Sequence, residues 1–230
     1  MFPLTDVLNK MMNFKNVSRW HIPILLLLGL FSLRAIAADT LLILGDSLSA
    51  GYRMSADQAW PALLDAKWRG NPGGVRVVNG SISGDTAGQG LARLPALLKL
   101  YKPKWVMIEL GGNDGLRGFP PSAIRQNLSK AIELTEAAGA RPLLMQIRLP
   151  PNYGRRYTEA FSAIYPNLAR RYKAPLLPFF MEQVYLKPQW MQDDNIHPSP
   201  AAQSFIADWM SARLTPLLQH DSAAAGQRNG

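Results

Sequence analysis

Short unbroken apolar runs alternate along this chain with stretches in which apolar residues recur every three or four positions. The first clear run, residues 41–44, stops at Gly45 and is followed at once by Asp46 and Ser47. An apolar run ended by glycine is the pattern of a strand buried on both faces, and such strands belong mostly to parallel sheets. Residues 75–78, 105–110 and 142–147 repeat it, and 176–180 does so weakly. Between the runs lies helical spacing. Trp60, Leu63, Leu64 and Trp68 predict one helix; Leu91, Leu94, Leu97 and Leu98 predict a second, opened by Gly90 and ended before Pro103. Residues 122–138 predict a third, with Ser122 as N-cap and Gly139 as its stop. Residues 157–172 predict a fourth, bent at Pro166, and 200–218 a last one. The sharpest loop is residues 111–121, and the small, polar end, residues 219–230, is expected to be disordered. Strand–helix alternation predicts an α/β domain with helices on both faces of a parallel sheet.

Right-handed crossovers put the carboxyl end of every parallel strand on one edge. Four polar clusters then share that edge: Gly45-Asp46-Ser47, Ser83-Gly84-Asp85, Gly112-Asn113-Asp114 and the segment Asp194 to His197. Ser47 at a helix start would hold its hydroxyl near unpaired backbone N–H groups. Asp194 lies three residues before His197, so on a tight turn its carboxylate can fold back and hold the imidazole tautomer. Nucleophile, orienter and base would then follow in the order Ser, Asp, His. The N–H of Ser47, the backbone at Gly84 and the Asn113 amide are candidate donors to an oxyanion. Each cluster also has a plainer use as a turn or helix cap. The same edge carries Asp46, Asp85, Asp114, Asp193, Asp194 and His197, whose oxygens and nitrogens suit a metal, so a metal-dependent hydrolase is a rival reading. A lipid- or glycan-binding protein without catalysis is another. Gly-x-Ser-x-Gly, a complete Gly-x-Gly-x-x-Gly and a Walker A sequence are all missing, which argues against a nucleophile elbow and nucleotide binding.

Composition adds an address. Lys10, Lys15 and Arg19 precede an apolar segment of 12 residues, 22–33, closed by Arg34 and followed by Ala35-Ile36-Ala37. That is a basic n-region, a short h-region and an Ala-x-Ala site, the pattern of a secretory signal peptide. Twelve residues fall short of the roughly 20 needed to span a bilayer. Residues 1–37 are therefore expected to be removed on export, leaving a soluble domain at 38–218 with no stable membrane anchor. The formal charge of +9 falls to +6 when four basic residues and one acidic residue go with the signal. The basic residues are dispersed and no nucleic-acid motif accompanies them, so no nucleic-acid partner is expected. With no cysteine, thiolate chemistry and disulfides are excluded.

Gly-Asp-Ser-Leu-Ser at 45–49, Gly84, Gly-Gly-Asn-Asp at 111–114 and Asp194-x-x-His197 resemble, in order, the four sequence blocks of the GDSL (SGNH) hydrolases. The resemblance runs over residues 38–218 and departs from it at a short Gly/Pro-containing insertion near 71–75 and a polar tail past Ser222. It implies a flavodoxin-like three-layer α/β/α sandwich with a five-stranded parallel sheet. It also implies Ser47 as nucleophile, His197 as general base, Asp194 as its orienter, and an oxyanion hole of Ser47, Gly84 and Asn113. No metal or other cofactor is implied. The substrates implied are fatty acyl thioesters, lysophospholipids and small esters, handled by a periplasmic monomer. Leu116, Phe119, Ile147, Leu149 and Pro150, with Tyr153, lie in loops leaving the same edge and are candidates for an acyl groove.

Overall fold

The computed structural model of the chain describes residues 38–69 and 74–226, all within the unit Ala38–Gly230. The expected signal peptide and the turn at residues 71–73 lie outside the described residues. Five parallel strands, β1 (Thr40–Gly45), β2 (Arg76–Asn79), β3 (Trp105–Glu109), β4 (Arg141–Met145) and β5 (Leu176–Leu177), pair in the order 2-1-3-4-5. That is the flavodoxin-like order, in which the sheet reverses direction between β1 and β3. The fold class expected from the sequence is the one observed.

The strand order decides where the helices go. The β1-to-β2 crossover and all later ones run in opposite directions across the sheet, so right-handed connections place them on opposite faces. Helix α1 (Ser47–Ala50) is a single turn after β1, and α2 (Trp60–Arg69) is the crossover to β2. On the other face lie α3 (Ala87–Tyr101), α5 (Pro121–Ala137) and α7 (Ile164–Tyr172); the last helix, α9 (Pro200–Gly226), packs against α2. Leu41, Leu42, Ile43 and Leu44 are fully buried because both faces of β1 are covered. Each such side chain contributes about 1.5–3 kcal/mol through burial.

Local chemistry moves several boundaries. Helix α3 starts at Ala87 rather than after Gly90, because Thr86 and Gln89 form a reciprocal capping box. The loop at 111–121 contains α4 (Gly112–Leu116), which starts once Gly111, at φ +107°, has turned the chain out of β3. Ser122 is not an N-cap: α5 starts one residue earlier at Pro121, whose fixed φ suits the first helical position.

The helix expected over 157–172 is two, α6 (Arg155–Ser162) and α7, divided at Ala163. Pro166 has no N–H to give the Ser162 carbonyl, which accepts from Gln146 Nε2 at 3.2 Å instead. Strand β5 stops at Leu177, since Pro178 cannot donate to a ladder, and Phe179 and Phe180 turn into the core before α8 (Met181–Val184). Residues 219–226, expected to be disordered, continue α9. The stretch Gln219 to Ala225 holds no helix breaker, and the three alanines at 223–225 favour helix.

Candidate active site

The reversal of strand order opens a crevice outside the carboxyl ends of β1 and β3. Ser47 leaves β1 at that crevice and Asn113 leaves β3 beside it. Asp46 caps α1, its Oδ1 accepting from Leu48 N–H at 3.1 Å, and this fixes Ser47 as the first helical residue. From the far end of the chain, the segment before α9 brings back the imidazole. Its turn passes through Asn195 at φ +56°, a conformation asparagine tolerates better than most residues. The turn is tied down by Gln192, whose Nε2 donates to the carbonyls of Tyr52 and Pro198 at 2.9 and 3.0 Å.

The sequence-predicted series closes. Asp194 Oδ2 lies 2.7 Å from His197 Nδ1, and His197 Nε2 lies 2.8 Å from Ser47 Oγ. With the Nδ1 proton given to the carboxylate, Nε2 is left as an acceptor for the serine hydroxyl. Asp194 Oδ1 also accepts from the backbone N–H of Ile196 and His197 at 2.9 and 3.0 Å. Partial burial works to raise the Asp194 pKa, but these donors and the imidazole outweigh it and hold it at about 2. Tyr52 covers the imidazole, ring centroids 4.2 Å apart, a contact that no residue pattern announces.

Gly84 stands at φ +84°, a left-handed conformation that favours glycine, and a Cβ there would meet nothing within 4 Å. The turn is held by Arg117, which donates to the Gly84 carbonyl at 3.1 Å, and by the Asp85–Arg93 ion pair at 2.5 Å. Asn113 Nδ2 donates to Asp46 Oδ2 at 3.1 Å and to the Asp85 carbonyl at 3.0 Å. One amide thus bridges the loops after β1, β2 and β3.

Beneath the crevice is a feature that the sequence reading missed, a second buried acid. Glu109, fully buried at the end of β3, accepts from Ser49 Oγ at 2.7 Å, and its other oxygen has no partner. A Cβ on Gly45 would come within 2.7 Å of this carboxyl, so the glycine before Asp46 is also sterically constrained. Burial pushes Glu109 well above the ordinary carboxylate range, and burial pushes Asp46 up to about 7, against its own donors. The signal was present: one charged residue inside an otherwise apolar run.

A raised carboxyl pKa sets the sign of a pH effect. Above its unfolded value of 3.8, Asp46 would ionise in the unfolded chain before it ionises in the folded one. Stability therefore declines as pH rises from about 4 to about 7, and Glu109 acts in the same direction. Asp194 acts oppositely, its contribution being lost only as pH falls toward about 2. Urea unfolding is expected to show a lower midpoint at pH 8 than at pH 5, and Asp46→Asn to narrow that gap. An unchanged gap would exclude Asp46 as its source.

A cavity of about 400 Å³ opens beside Ser47 and His197. Leu116, Ile147, Leu149, Pro150 and Tyr153 line it as expected, joined by Leu48, Phe179, Tyr185 and Ile196. Phe119 does not. It follows Gly118, at φ +72°, and stands 40% exposed outside the cavity, where its carbonyl accepts from Tyr157 Oη at 2.7 Å. Three of the carboxylates that suit a metal are committed elsewhere: Asp85 to Arg93, Asp114 to the Ala87 N–H at 2.7 Å, and Asp46 to Asn113. Among the described residues no three acidic or histidine groups stand close enough to hold a metal ion.

A doubly wound α/β fold with a hydroxyl, an imidazole and a carboxylate in series at its switch point is the architecture of a hydrolytic enzyme. Residues 43–204 match the GDSL-like lipase/acylhydrolase family, and the chain belongs to it. It is 68% identical over 212 residues to thioesterase 1/protease 1/lysophospholipase L1 of Escherichia coli, covering 92% of this chain and all of that protein. It is 54% identical over 182 residues to an arylesterase of Vibrio mimicus, covering 79% and 91% of the two chains. Among solved structures, the esterase EstA of a Pseudoalteromonas species, inhibited by monoethylphosphonate, superposes with a TM-score of 0.77 at 41% identity. That match covers 79% of this chain and 99% of the esterase. The protein is accordingly a GDSL-type hydrolase with esterase relatives.

Proposed function

We propose that this chain is a serine esterase of the periplasm that cleaves fatty acyl thioesters, lysophospholipids and small esters through an acyl-enzyme. The observation that carries the reading is the unbroken series from Asp194 through His197 to Ser47, at 2.7 and 2.8 Å. Ser47 Oγ attacks the acyl carbonyl as its proton passes to His197 Nε2. The imidazolium, steadied by Asp194, then protonates the departing alkoxide or thiolate. Water, deprotonated by the same Nε2, attacks the acyl-Ser47 ester, and the returned proton regenerates the hydroxyl. The apolar wall of Leu116, Ile147, Leu149 and Pro150 holds the acyl chain. The names of the relatives supply the substrate classes, and the pattern of residues 1–37 supplies the address. A monomer suffices, since all three groups come from one chain.

The oxyanion is received by the N–H groups of Ser47 and Gly84 and by Asn113 Nδ2. The amide proton that Asn113 gives to Asp46 is the one an oxyanion competes for. Burial favours the neutral form of that acid, which weakens its hold on the proton. Asn113→Ala is expected to lower kcat by about 10²–10³-fold with little change in KM, the cost of losing one oxyanion donor. A comparable rise in KM at constant kcat would make Asn113 a ground-state binder instead.

The direct test is covalent labelling by a fluorophosphonate, read by intact mass. One adduct on the native chain, absent in Ser47→Ala and indifferent to EDTA, supports the mechanism. Turnover that EDTA abolishes, without an adduct, would replace it with the metal-dependent one; neither adduct nor turnover would leave a binding protein.

A further inference from the structure

Exposed apolar side chains are distributed unevenly over the described residues. Of the seven large ones, Leu100 and Leu134 lie near the carboxyl ends of α3 and α5, which return toward the far edge of the sheet. The other five, Ile82, Phe119, Tyr185, Leu186 and Ile196, all lie in segments at the catalytic edge. Ile82 is placed there by its N–H, which donates to the Gly45 carbonyl at 3.2 Å just before the nucleophile. Ile196 stands between Asp194 and His197, and Tyr185 lines the cavity beside it. Leu186, 73% exposed, and Ile82, 47% exposed, do not line the cavity, so an acyl chain bound there does not account for them.

The same segments carry exposed cations: Arg53 after α1, Arg117 beyond Asn113, Arg155 and Arg156 beyond Tyr153, and Lys187 next to Leu186. Arg53 and Lys187 lie over the rings of Tyr52 and Trp190, at 5.1 and 3.8 Å, so their charges are held among aromatic rather than acidic groups. On the acidic side, Glu182 is paired with Arg148, and Asp57, Glu159 and Asp193 are exposed, fewer than the five cations. Apolar tips interspersed with cations on one face are what a protein needs to sit at a lipid–water boundary. The apolar groups enter the headgroup layer and the cations meet anionic phosphates.

We propose that this rim is a membrane-docking face, which seats the mouth of the catalytic cavity on a bilayer surface bearing anionic headgroups. The choice of lipid as occupant rests on the acyl-ester reading above, because a lysophospholipid dissolved in a bilayer presents its ester at that depth. Docking by this rim turns the cavity mouth toward the surface, so substrate reaches Ser47 without crossing bulk water.

The test is co-sedimentation of the full mature chain with vesicles of phosphatidylcholine, with and without phosphatidylglycerol, alongside turnover of a soluble short-chain ester. Native protein is expected to bind the phosphatidylglycerol vesicles about tenfold more tightly than the neutral ones, and less tightly as salt is raised. The double variant Ile82→Ser/Leu186→Ser is expected to lose about tenfold in vesicle affinity, and Arg155→Gln/Arg156→Gln several-fold. Both variants are expected to keep native turnover of the soluble ester, which shows that fold and site are intact. Failure of the native chain to bind vesicles, equal binding to both compositions, or unchanged binding by the double variant would each overturn the proposal. So would a native dimer that the double variant dissociates, which would make the rim a self-association surface. A native chain that binds vesicles but turns over no ester refutes the esterase reading and leaves the docking face standing.

Discussion

Ser47→Ala is expected to lower kcat for a short-chain acyl ester about a million-fold, with the fold intact. The size follows from the geometry. The Ser47 hydroxyl is the group hydrogen-bonded to His197 Nε2, at 2.8 Å, and the side chain lies at the cavity mouth rather than in the core. Removing it leaves His197 Nε2 facing an open cavity that water enters, so no buried polar group is orphaned. The stability change should therefore stay within about 1 kcal/mol. KM should move little, because the apolar wall and the oxyanion donors remain. The reaction that persists measures what those donors achieve with an unactivated water. Paired measurements of kcat and of the urea midpoint check both halves. A variant retaining a tenth of native kcat would show that Ser47 is not the nucleophile, whatever the fate of the fold.

How much of this was legible in the sequence depends on how local the cause was. Strand β1 was plain, because four apolar residues ended by a glycine describe a strand covered on both faces. The turn from Asp194 to His197 was also plain, since its two partners are three residues apart. Helix α3 shows a local signal that a stronger one hides. Thr86 and Gln89 form a capping box, but Gly88 and Gly90 read as breakers and push the expected start too late. The break at Ala163 is only half legible. Pro166 announces it, while the acceptor role of the Ser162 carbonyl is settled by Gln146, far away in the chain.

Glu109 marks where sequence reading stops. Its partner Ser49 is 60 residues earlier, and only the pairing of β1 with β3 brings them together. The same holds for the Asn113 amide, which reaches Asp46 across 67 residues, and for Tyr52 over His197. Phe119 failed for a related reason. Its position after the Asn113 loop put it at the right edge, but the turn at Gly118 decides whether it enters the cavity, and a residue pattern carries no such direction. The candidate serine, aspartate and histidine were therefore readable from spacing, and the frame that brings them together was not.

His197→Ala is the second large effect, and it tests whether the three groups act as one. Of the three histidines in the chain, His197 is the one among the residues whose side chains are described, so no other described imidazole takes its place. Asp46 is no substitute base, because it is buried, caps α1 and is engaged by Asn113. The loss in kcat should again be about a million-fold, while Asp194→Asn, which leaves a base in place but misdirects its proton, should cost about 10⁴-fold. The ring sits against Tyr52 at an open cavity rather than in the core, so its removal leaves a space that added imidazole can enter. Partial recovery of turnover with imidazole is expected in His197→Ala and not in Ser47→Ala. Without the base the serine hydroxyl is barely nucleophilic, and without the serine the base has no proton to take. Ser47→Ala/His197→Ala should accordingly be no slower than either single variant. A double variant slowed by the product of the two losses would mean that serine and imidazole act independently, and the hydrogen-bonded series would lose its standing as a catalytic unit.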